Sequence, residues 1–262
     1  MRIVRYVVSR ILKLAGNLSK GVFFAVHFVW SSLRLTIPER AGPLVRPTSN
    51  HPIPRIVWQT NFSRRVSLNI YANYLFNRIM APTFEFRLLD DDVADAFIAT
   101  CDERTQANYR RLQIGAAKAD FWRVLTVYHH GGVYMDMDAG LVWPLGFTLG
   151  GRRELYITDQ GDRLTNYFFA SAPNSPQIAE MISIINRNIE ENVLKSVWDI
   201  TGPSVFNTAL RGKNVQIEHR TTVCVQGLIT NEFFQYLDRP AGKWTKEQQT
   251  KRVTSPDKPA SS

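Results

Sequence analysis

The chain has 262 residues, 44% of them hydrophobic and 11% aromatic, which is enough for one sizeable α/β domain with a large core. Two distant cysteines, Cys101 and Cys224, exclude a disulfide framework and fit no metal or redox motif; a single disulfide stays open, and a reducing compartment is favoured. The net charge of +9 lies at the two ends, because residues 1–20 carry five basic residues and no acid, residues 239–262 carry six basic residues and two acids, and the rest is neutral.

Residues 1–37 predict a membrane-associating segment. On a helix, the apolar side chains of residues 1–20 form one broad face opposite a face of basic and small polar residues, a pattern that suits anionic lipid headgroups. The apolar run 21–33 is interrupted by His27 and falls short of the roughly 20 residues that a span needs. We expect an interfacial anchor, re-entrant at most. The alternatives are an amphipathic helix packed on the body and a full signal-anchor span, and a cleaved signal peptide is disfavoured.

The proline content sets the expected domain boundaries. Residues 38–54 contain five prolines and predict a linker, so the folded domain is expected at 55–238. Residues 239–262 are polar, basic and poor in apolar side chains, which predicts a basic C-terminal tail with a disordered end.

Strand and helix patterns alternate at the start of the expected domain. Residues 55–60 predict a buried strand, 67–80 a helix, 84–90 an alternating strand and 91–100 a helix with an acidic cap. Such alternation indicates an α/β fold with a mostly parallel sheet and helices on both faces. Because ligands of such folds bind at the carboxyl ends of the strands, functional residues are expected just after strands.

The clearest helix covers residues 114–132. Its apolar residues lie on one stripe, and Gly131 and Gly132 end it where a positive φ is needed. Asp120 and Arg123, three residues apart, are neighbours on another face. Spacing alone favours an ordinary helix ion pair.

Two carboxylates follow the glycines in the segment 133–138, "VYMDMD". In an extended strand Tyr134, Asp136 and Asp138 share one face. Two carboxylates on one side of a strand end can share a hard cation such as Mg²⁺, whose shell is then completed by substrate phosphates and water. The segment therefore predicts a metal site for a diphosphate-bearing substrate.

A second Asp-x-Asp pair, Asp90 and Asp92, shows how common this spacing is by chance. These acids follow a predicted strand and precede a predicted helix, where acids favour the helix N-terminus as caps and through the dipole. We interpret this second pair as structural.

The wider array carries a family resemblance. "KADFWRVLTVYHHGGVYMDMD", preceded by "IPRIVWQT" and "FEFRLLDDDVADAFI", resembles the DXD-containing sugar transferases of glycosyltransferase family 32, which include fungal outer-chain mannosyltransferases and bacterial capsule and lipopolysaccharide transferases. It is more distantly similar to the glucosylating domains of large clostridial toxins. The resemblance covers residues 53–145 well, and "NYFFASAPNSP" and "TGPSVF" resemble later family segments. It implies a GT-A type nucleotide-diphospho-sugar transferase fold with a mostly parallel, Rossmann-like sheet.

The resemblance also implies a set of site residues. Asp136 and Asp138 match the acids that hold Mn²⁺ or Mg²⁺ on the donor's diphosphate, with Asp138 as the direct ligand. Asp120 and Arg123 match a helix pair that contacts the sugar and ribose hydroxyls, so Asp120, Arg123 and Asp138 are the implied catalytic residues. Tyr134 resembles a residue beside the donor, although its ring could simply pack.

Further residues match with less detail. Trp58 resembles a position whose ring stacks on the nucleotide base; the alternative is a core tryptophan. Asn166, Thr201 and Gly202 are expected to line the acceptor side or the cleft.

The implied function is metal-dependent, retaining transfer of a hexose from a UDP- or GDP-linked donor to a glycan or lipid-linked acceptor in envelope polysaccharide or glycolipid synthesis. The anchor favours the cytoplasmic face of the inner or plasma membrane of a bacterium. Nucleic acid is not expected as a partner, because the neutral body lacks a basic stripe with interleaved aromatics.

Two other classes remain as alternatives. One is an Asp-x-Asp phosphotransferase, which usually has Thr or Val where Gly140 stands. The other is a non-enzymatic membrane adaptor, which deletion of residues 1–37 would abolish. For an enzyme, the same deletion is expected to leave sugar transfer largely intact.

Overall fold

The computed structural model describes residues 2–48 and 50–255. Its helices are α1 (Arg2–Val29), α2 (Leu68–Met80), α3 (Asp91–Ile98), α4 (Glu103–Arg111), α5 (Gly115–His130), α6 (Leu145–Leu149), α7 (Pro176–Glu191), α8 (Val197–Ile200), α9 (Pro203–Ala209), α10 (Glu232–Gln235) and α11 (Trp244–Thr250). Its strands are β1 (Arg34–Thr36), β2 (Arg40–Ala41), β3 (Ile56–Thr60), β4 (Arg65–Ser67), β5 (Glu85–Leu89), β6 (Gly132–Met135), β7 (Ala139–Leu141), β8 (Glu154–Thr158), β9 (Leu164–Ser171), β10 (Ile217–His219) and β11 (Cys224–Gln226).

A central sheet organises the described residues. Seven strands pair in the order β10-β8-β9-β6-β3-β5-β2. β3 runs parallel to β5 and β6, and β10 parallel to β8, whereas the other three pairings are antiparallel. The α/β class is confirmed. The sheet is mixed rather than mostly parallel, because β9 runs antiparallel between β8 and β6.

The sheet has a buried core on each face. One core contains Tyr134 of β6 with side chains of α5, α7 and α9; the other contains Val133 and Met135 with side chains of α2. The two faces of β6 therefore alternate as predicted, up to Met135.

The local predictions before the motif are confirmed. β3, α2, β5 and α3 lie within one or two residues of the predicted bounds. The Asp90 side chain accepts from the Val93 amide at 3.4 Å and so caps α3. Helix α5 ends at His130 and is followed by Gly131 and Gly132, whose φ values are +64° and +109°. The second Asp-x-Asp pair thus begins at a helix cap.

Two expected boundaries differ from the structure. The segment 38–54 is packed, since β2 pairs with β5 and Ile53 is fully buried. At the other end, Val253 is buried and Thr254 bridges to Leu112, so the body continues well beyond residue 238. In each segment a single buried apolar side chain, Ile53 or Val253, packs against the body. Overall composition does not reveal such isolated contacts. The end of the expected tail, 256–262, lies outside the described residues. Cys101 and Cys224 are both free thiols.

Helix α1 lies against the body by its small and polar face. Arg5, Ser9 and Gly16 are its buried residues, whereas much of the apolar face is exposed. Ile3 is 80% exposed and Leu18 70%. One face of α1 is therefore packed on the body, as the alternative of a packed amphipathic helix predicted. The opposite, apolar face is exposed. In the part of the chain that the structure describes, no helix combines the length and apolar character that a membrane span requires.

Candidate active site

A cleft of about 870 Å³ opens at the end of β3 and β6. Its walls include the first turns of α5, the segment from Gln226 to Tyr236, and Trp244 of α11. Asp120, Arg123, Asp136, Asp138 and Asn166 all line it. The structure therefore brings most of the predicted site residues into one cavity at the carboxyl ends of parallel strands.

Asp136 and Asp138 lie on a turn rather than within a strand. β6 ends at Met135, and the Ala139 amide donates to the Asp136 carbonyl at 3.1 Å. The extended alternation predicted through Asp138 is therefore wrong for its last three residues. The turn places both carboxylates at the strand end, on the wall of the cleft.

Buried asparagines of α2 hold this turn. The Asn73 amide donates to the carbonyls of Met137 and Ala139 at 2.8 and 2.9 Å, and the Asn77 amide donates to the Ala139 carbonyl at 2.8 Å. Both asparagines are fully buried. Satisfying the turn's carbonyls in this way is necessary because unpaired buried carbonyls are costly. Sequence reasoning missed these residues, although the spacing of four that they share with Asn69 on a largely apolar helix was a usable signal.

Arg123 links the helix to the carboxylate turn. Its guanidinium lies 3.1 Å from Asp120 and 3.3 Å from Asp136, and it donates to the Asn166 carbonyl at 3.0 Å. It also lies over the Tyr134 ring, 4.3 Å from the centroid. Burial alone would lower the pKa of Arg123, but Tyr134 and the surrounding carboxylates raise it. Arg123 is therefore a fixed, buried cation and not the surface ion pair that spacing alone favoured.

Asp120 is held by two further side chains. Asn166 donates to its Oδ1 at 2.8 Å and Thr201 to its Oδ2 at 3.2 Å. Burial raises the pKa of Asp120 to about 6, although Arg123 opposes the shift. Thr201 is fully buried and Gly202 packs against the backbone of Trp198, so neither lies on the cleft surface. Of the three expected acceptor-side residues, the structure places Asn166 alone among the cleft-lining residues.

Tyr134 acts on Asp136. Its hydroxyl donates to Asp136 Oδ1 at 2.8 Å, and its side chain is 1% exposed. Burial raises the pKa of Tyr134 well above its ordinary value, so the hydroxyl keeps its proton and stays a donor. The structure thus makes Tyr134 a group that orients Asp136 from behind.

Asp138 is held by a loop that sequence reasoning missed. Gln226 donates to Asp138 Oδ1 at 3.2 Å, while the Gly227 amide and the Thr230 hydroxyl both donate to the Asp138 carbonyl at 2.9 Å. Burial, and the nearby Asp136 charge after it, raises the pKa of Asp138 to about 7. These contacts come from residues 88 or more positions away, so no local pattern marks them.

The carboxylates fit a hard divalent cation. Asp138 is 7% exposed and has no cationic partner within ion-pair distance among the described residues, which leaves its charge under-compensated. The described part of the chain holds no group of three or more His, Cys, Asp or Glu side chains suited to a metal. Two protein carboxylates, with the remaining ligands from diphosphate and water, match the way in which Mg²⁺ is usually bound.

Trp58 does not lie in the cleft. It is 3% exposed, its indole N–H donates to the Gly131 carbonyl at 2.9 Å, and the Arg87 guanidinium covers the ring. The expected base-stacking role is therefore wrong here, and the core alternative holds. Pairing of β3 with β5 and β6 places Trp58 against the end of α5. The aromatic residues that do line the cleft are Phe62, Tyr109, Trp122, Tyr134, Tyr167, Trp198, Phe234, Tyr236 and Trp244.

Comparison with known proteins identifies the region that carries this site. Residues 56–160 match the family model described as a glycosyltransferase sugar-binding region containing a DXD motif. The initiation-specific alpha-1,6-mannosyltransferase of Schizosaccharomyces pombe is 33% identical over 95 residues, covering 33% of this chain and 23% of that protein. The inositol phosphoceramide mannosyltransferase 2 of the same yeast is 25% identical over 206 residues, covering 75% of this chain and 58% of that protein.

Two solved structures are similar at a greater distance. The PaToxG glycosyltransferase is 15% identical with a TM-score of 0.45, covering 94% of this chain and 85% of that one. The UDP-bound glycosyltransferase domain of the YGT toxin is 14% identical with a TM-score of 0.37, covering 56% and 54%. The chain spans less than two thirds of the length of the two yeast relatives. Residues 56–160, which contribute Asp120, Arg123, Asp136 and Asp138 to one cleft, match the DXD-containing glycosyltransferase family model.

Proposed function

We propose that this chain transfers a hexose from a UDP- or GDP-linked donor to the hydroxyl of a glycan or lipid-linked acceptor, with the anomeric configuration retained. The observation that carries the proposal is the buried chain of contacts from Asp120 through Arg123 to Asp136, next to Asp138, in a cleft within the DXD region. Burying so many charges is costly unless a ligand uses them.

The charges suit the leaving group of such a reaction. Asp136 and Asp138 would hold Mn²⁺ or Mg²⁺, which when bound supplies Lewis-acid neutralisation of the departing diphosphate. Arg123 adds a fixed positive charge whose position is set by Asp120, Asp136 and the Asn166 carbonyl. Asp120 is a fixed acceptor for donor hydroxyls, which supports selection between epimers.

The membrane surface is part of the proposal. The exposed stripe of α1 includes Ile3, Val7, Leu14 and Leu18, and α1 contains no acid. Arg10 and Lys13, both exposed, lie on the same side of this stripe. We infer that α1 lies in the plane of an anionic bilayer, with about 42 Å of length for 28 residues. The lipid acceptor in the name of the second yeast relative supports a lipid-linked acceptor. Envelope glycan synthesis at the cytoplasmic face of a bacterial membrane stays a prediction from the resemblance.

The test measures donor turnover, and its matched control is a substitution in the second Asp-x-Asp pair of the chain. UDP-glucose, UDP-galactose, UDP-N-acetylglucosamine and GDP-mannose are incubated with Mn²⁺ or with EDTA, and nucleoside diphosphate release is measured for wild type, Asp138→Asn and Asp90→Asn. We expect metal-dependent release from one donor, a loss of about 100-fold or more in Asp138→Asn, and unchanged release in Asp90→Asn, because asparagine still caps α3.

Other outcomes point to the alternatives. Hydrolysis of an aryl phosphate without release from any nucleotide sugar would indicate a phosphotransferase. No turnover and no metal-dependent donor binding, together with vesicle binding, would overturn the enzyme proposal in favour of a membrane adaptor.

A further inference from the structure

Helix α1 touches the loop that holds Asp138. At Gly16, a Cβ atom would lie 2.1 Å from the Leu228 carbonyl oxygen, a distance that no side chain tolerates. The absence of a side chain therefore lets the two backbones meet. One turn further along, the Lys20 ammonium donates to the Gly227 carbonyl at 2.9 Å, and burial lowers the pKa of Lys20.

The loop transmits this contact to the carboxylate. Leu228 is fully buried, with its backbone against Gly16 and its side chain against Gly140, where a Cβ would lie 2.7 Å from Leu228 Cδ2. Gly140 comes two residues after Asp138. Residues 226, 227 and 230 each donate a hydrogen bond to Asp138, so Leu228, which meets Gly16, belongs to the same short loop as the three donors.

A second contact lies further along the helix. The Phe24 ring is 4.8 Å from the Phe234 ring and 5.3 Å from the Phe233 ring, centroid to centroid. Phe234 lines the cleft. Helix α1 thus supports the segment 226–236 at both of its ends.

We propose that α1 is a positioning element of the sugar-transfer site, with Gly16 and Lys20 as positioning residues that fix the Asp138 loop. This inference rests on the proposed function. Its consequence reverses the expectation drawn from the sequence: removing residues 1–37 would weaken the site as well as the membrane contact, because the loop would lose its backing.

The experiment compares two glycines of one helix. Gly16→Ala introduces the clash with Leu228, whereas Gly21→Ala places a Cβ with nothing within 4 Å. Both changes raise helix propensity equally, by about 1 kcal/mol, so their difference isolates the contact. In Gly16→Ala we expect the Mn²⁺ concentration for half-maximal turnover to rise about 10-fold, with kcat at saturating Mn²⁺ within about 3-fold of wild type. Gly21→Ala should match wild type.

Hydrogen exchange provides a readout that needs no turnover. The Gly227 amide, which donates to Asp138, should lose protection about 10-fold in Gly16→Ala and keep it in Gly21→Ala. Should Gly16→Ala fail to fold, Lys20→Met, which keeps the apolar stem, serves with the same two measurements. Equal Mn²⁺ dependence and equal Gly227 protection in all variants would overturn the proposal. Absence of turnover in wild type would instead count against the proposed function, while the exchange comparison would still decide the role of α1.

Discussion

The cleft and helix α1 depart from the usual distribution of side chains in opposite ways. In the cleft, Asp120, Arg123 and Asp138 are charged and at most 7% exposed. On α1, Ile3 and Leu18 are apolar and at least 70% exposed. Both arrangements are costly in water unless something outside the protein covers or neutralises them. Under the proposed function, each region would be complementary to a different partner: a charged small molecule in one case and a lipid surface in the other.

The largest expected effect comes from removing the buried cation. Arg123→Met leaves Asp120 buried without its partner, so we expect the free energy of unfolding to fall by about 3–5 kcal/mol, measured by urea denaturation. Arg104→Met is the matched control, because Arg104 forms a two-point pair with Glu190 in which both side chains are 40% or more exposed. That change should cost about 1 kcal/mol or less.

A double variant separates charge from packing in this prediction. Adding Asp120→Asn to Arg123→Met removes the uncompensated carboxylate and should restore part of the lost stability. If Arg123→Met and Arg104→Met lowered the free energy of unfolding equally, the burial of charge in the cleft would not contribute to stability.

The next prediction concerns the exposed apolar face of α1. Leu18→Glu should lower the partition coefficient onto anionic vesicles by about 10-fold or more, since burying one leucine contributes about 1.5–3 kcal/mol. The melting temperature should not change, because Leu18 has little contact with the body. Ile79→Glu is the control, as Ile79 is 68% exposed on α2. Equal vesicle binding by Leu18→Glu and Ile79→Glu would contradict the proposal that α1 binds a membrane surface.

A further effect is a pH dependence of stability. The pKa of Asp120 is raised to about 6, above its ordinary value of 3.8, so the folded state binds this proton more tightly than the unfolded state. Its contribution to stability is therefore greatest below about pH 4 and is lost as the pH rises through about 6. Relative to Asp120→Asn, wild type should lose stability between pH 4 and pH 6 in urea titrations. A constant difference across that window would mean that Asp120 is not desolvated in solution.

Much of the site could be predicted because its signals are local. The α5 stripe, the glycines after it and the first residues of β6 follow from periodicity and backbone freedom within about 25 residues. Strand alternation pointed to Asp136 and Asp138, whereas Asp120 and Arg123 were predicted as site residues only from the family resemblance. Trp58, Thr201 and Gly202 were misplaced, because their positions depend on which face of an element meets the cleft. Local periodicity does not contain that information.

The sequence by itself determined β3, α2, β5, α3 and α5, the charged array and the amphipathic character of α1, because propensity, capping and hydrophobic period act over a few turns. The tertiary structure alone decided that the apolar face of α1 points outward, that Asn73 and Asn77 support the carboxylate turn, and that Gln226 and Thr230 hold Asp138. These contacts join residues 60 or more positions apart. Their partners are set by how the sheet and helices pack, and that packing is a property of the whole chain.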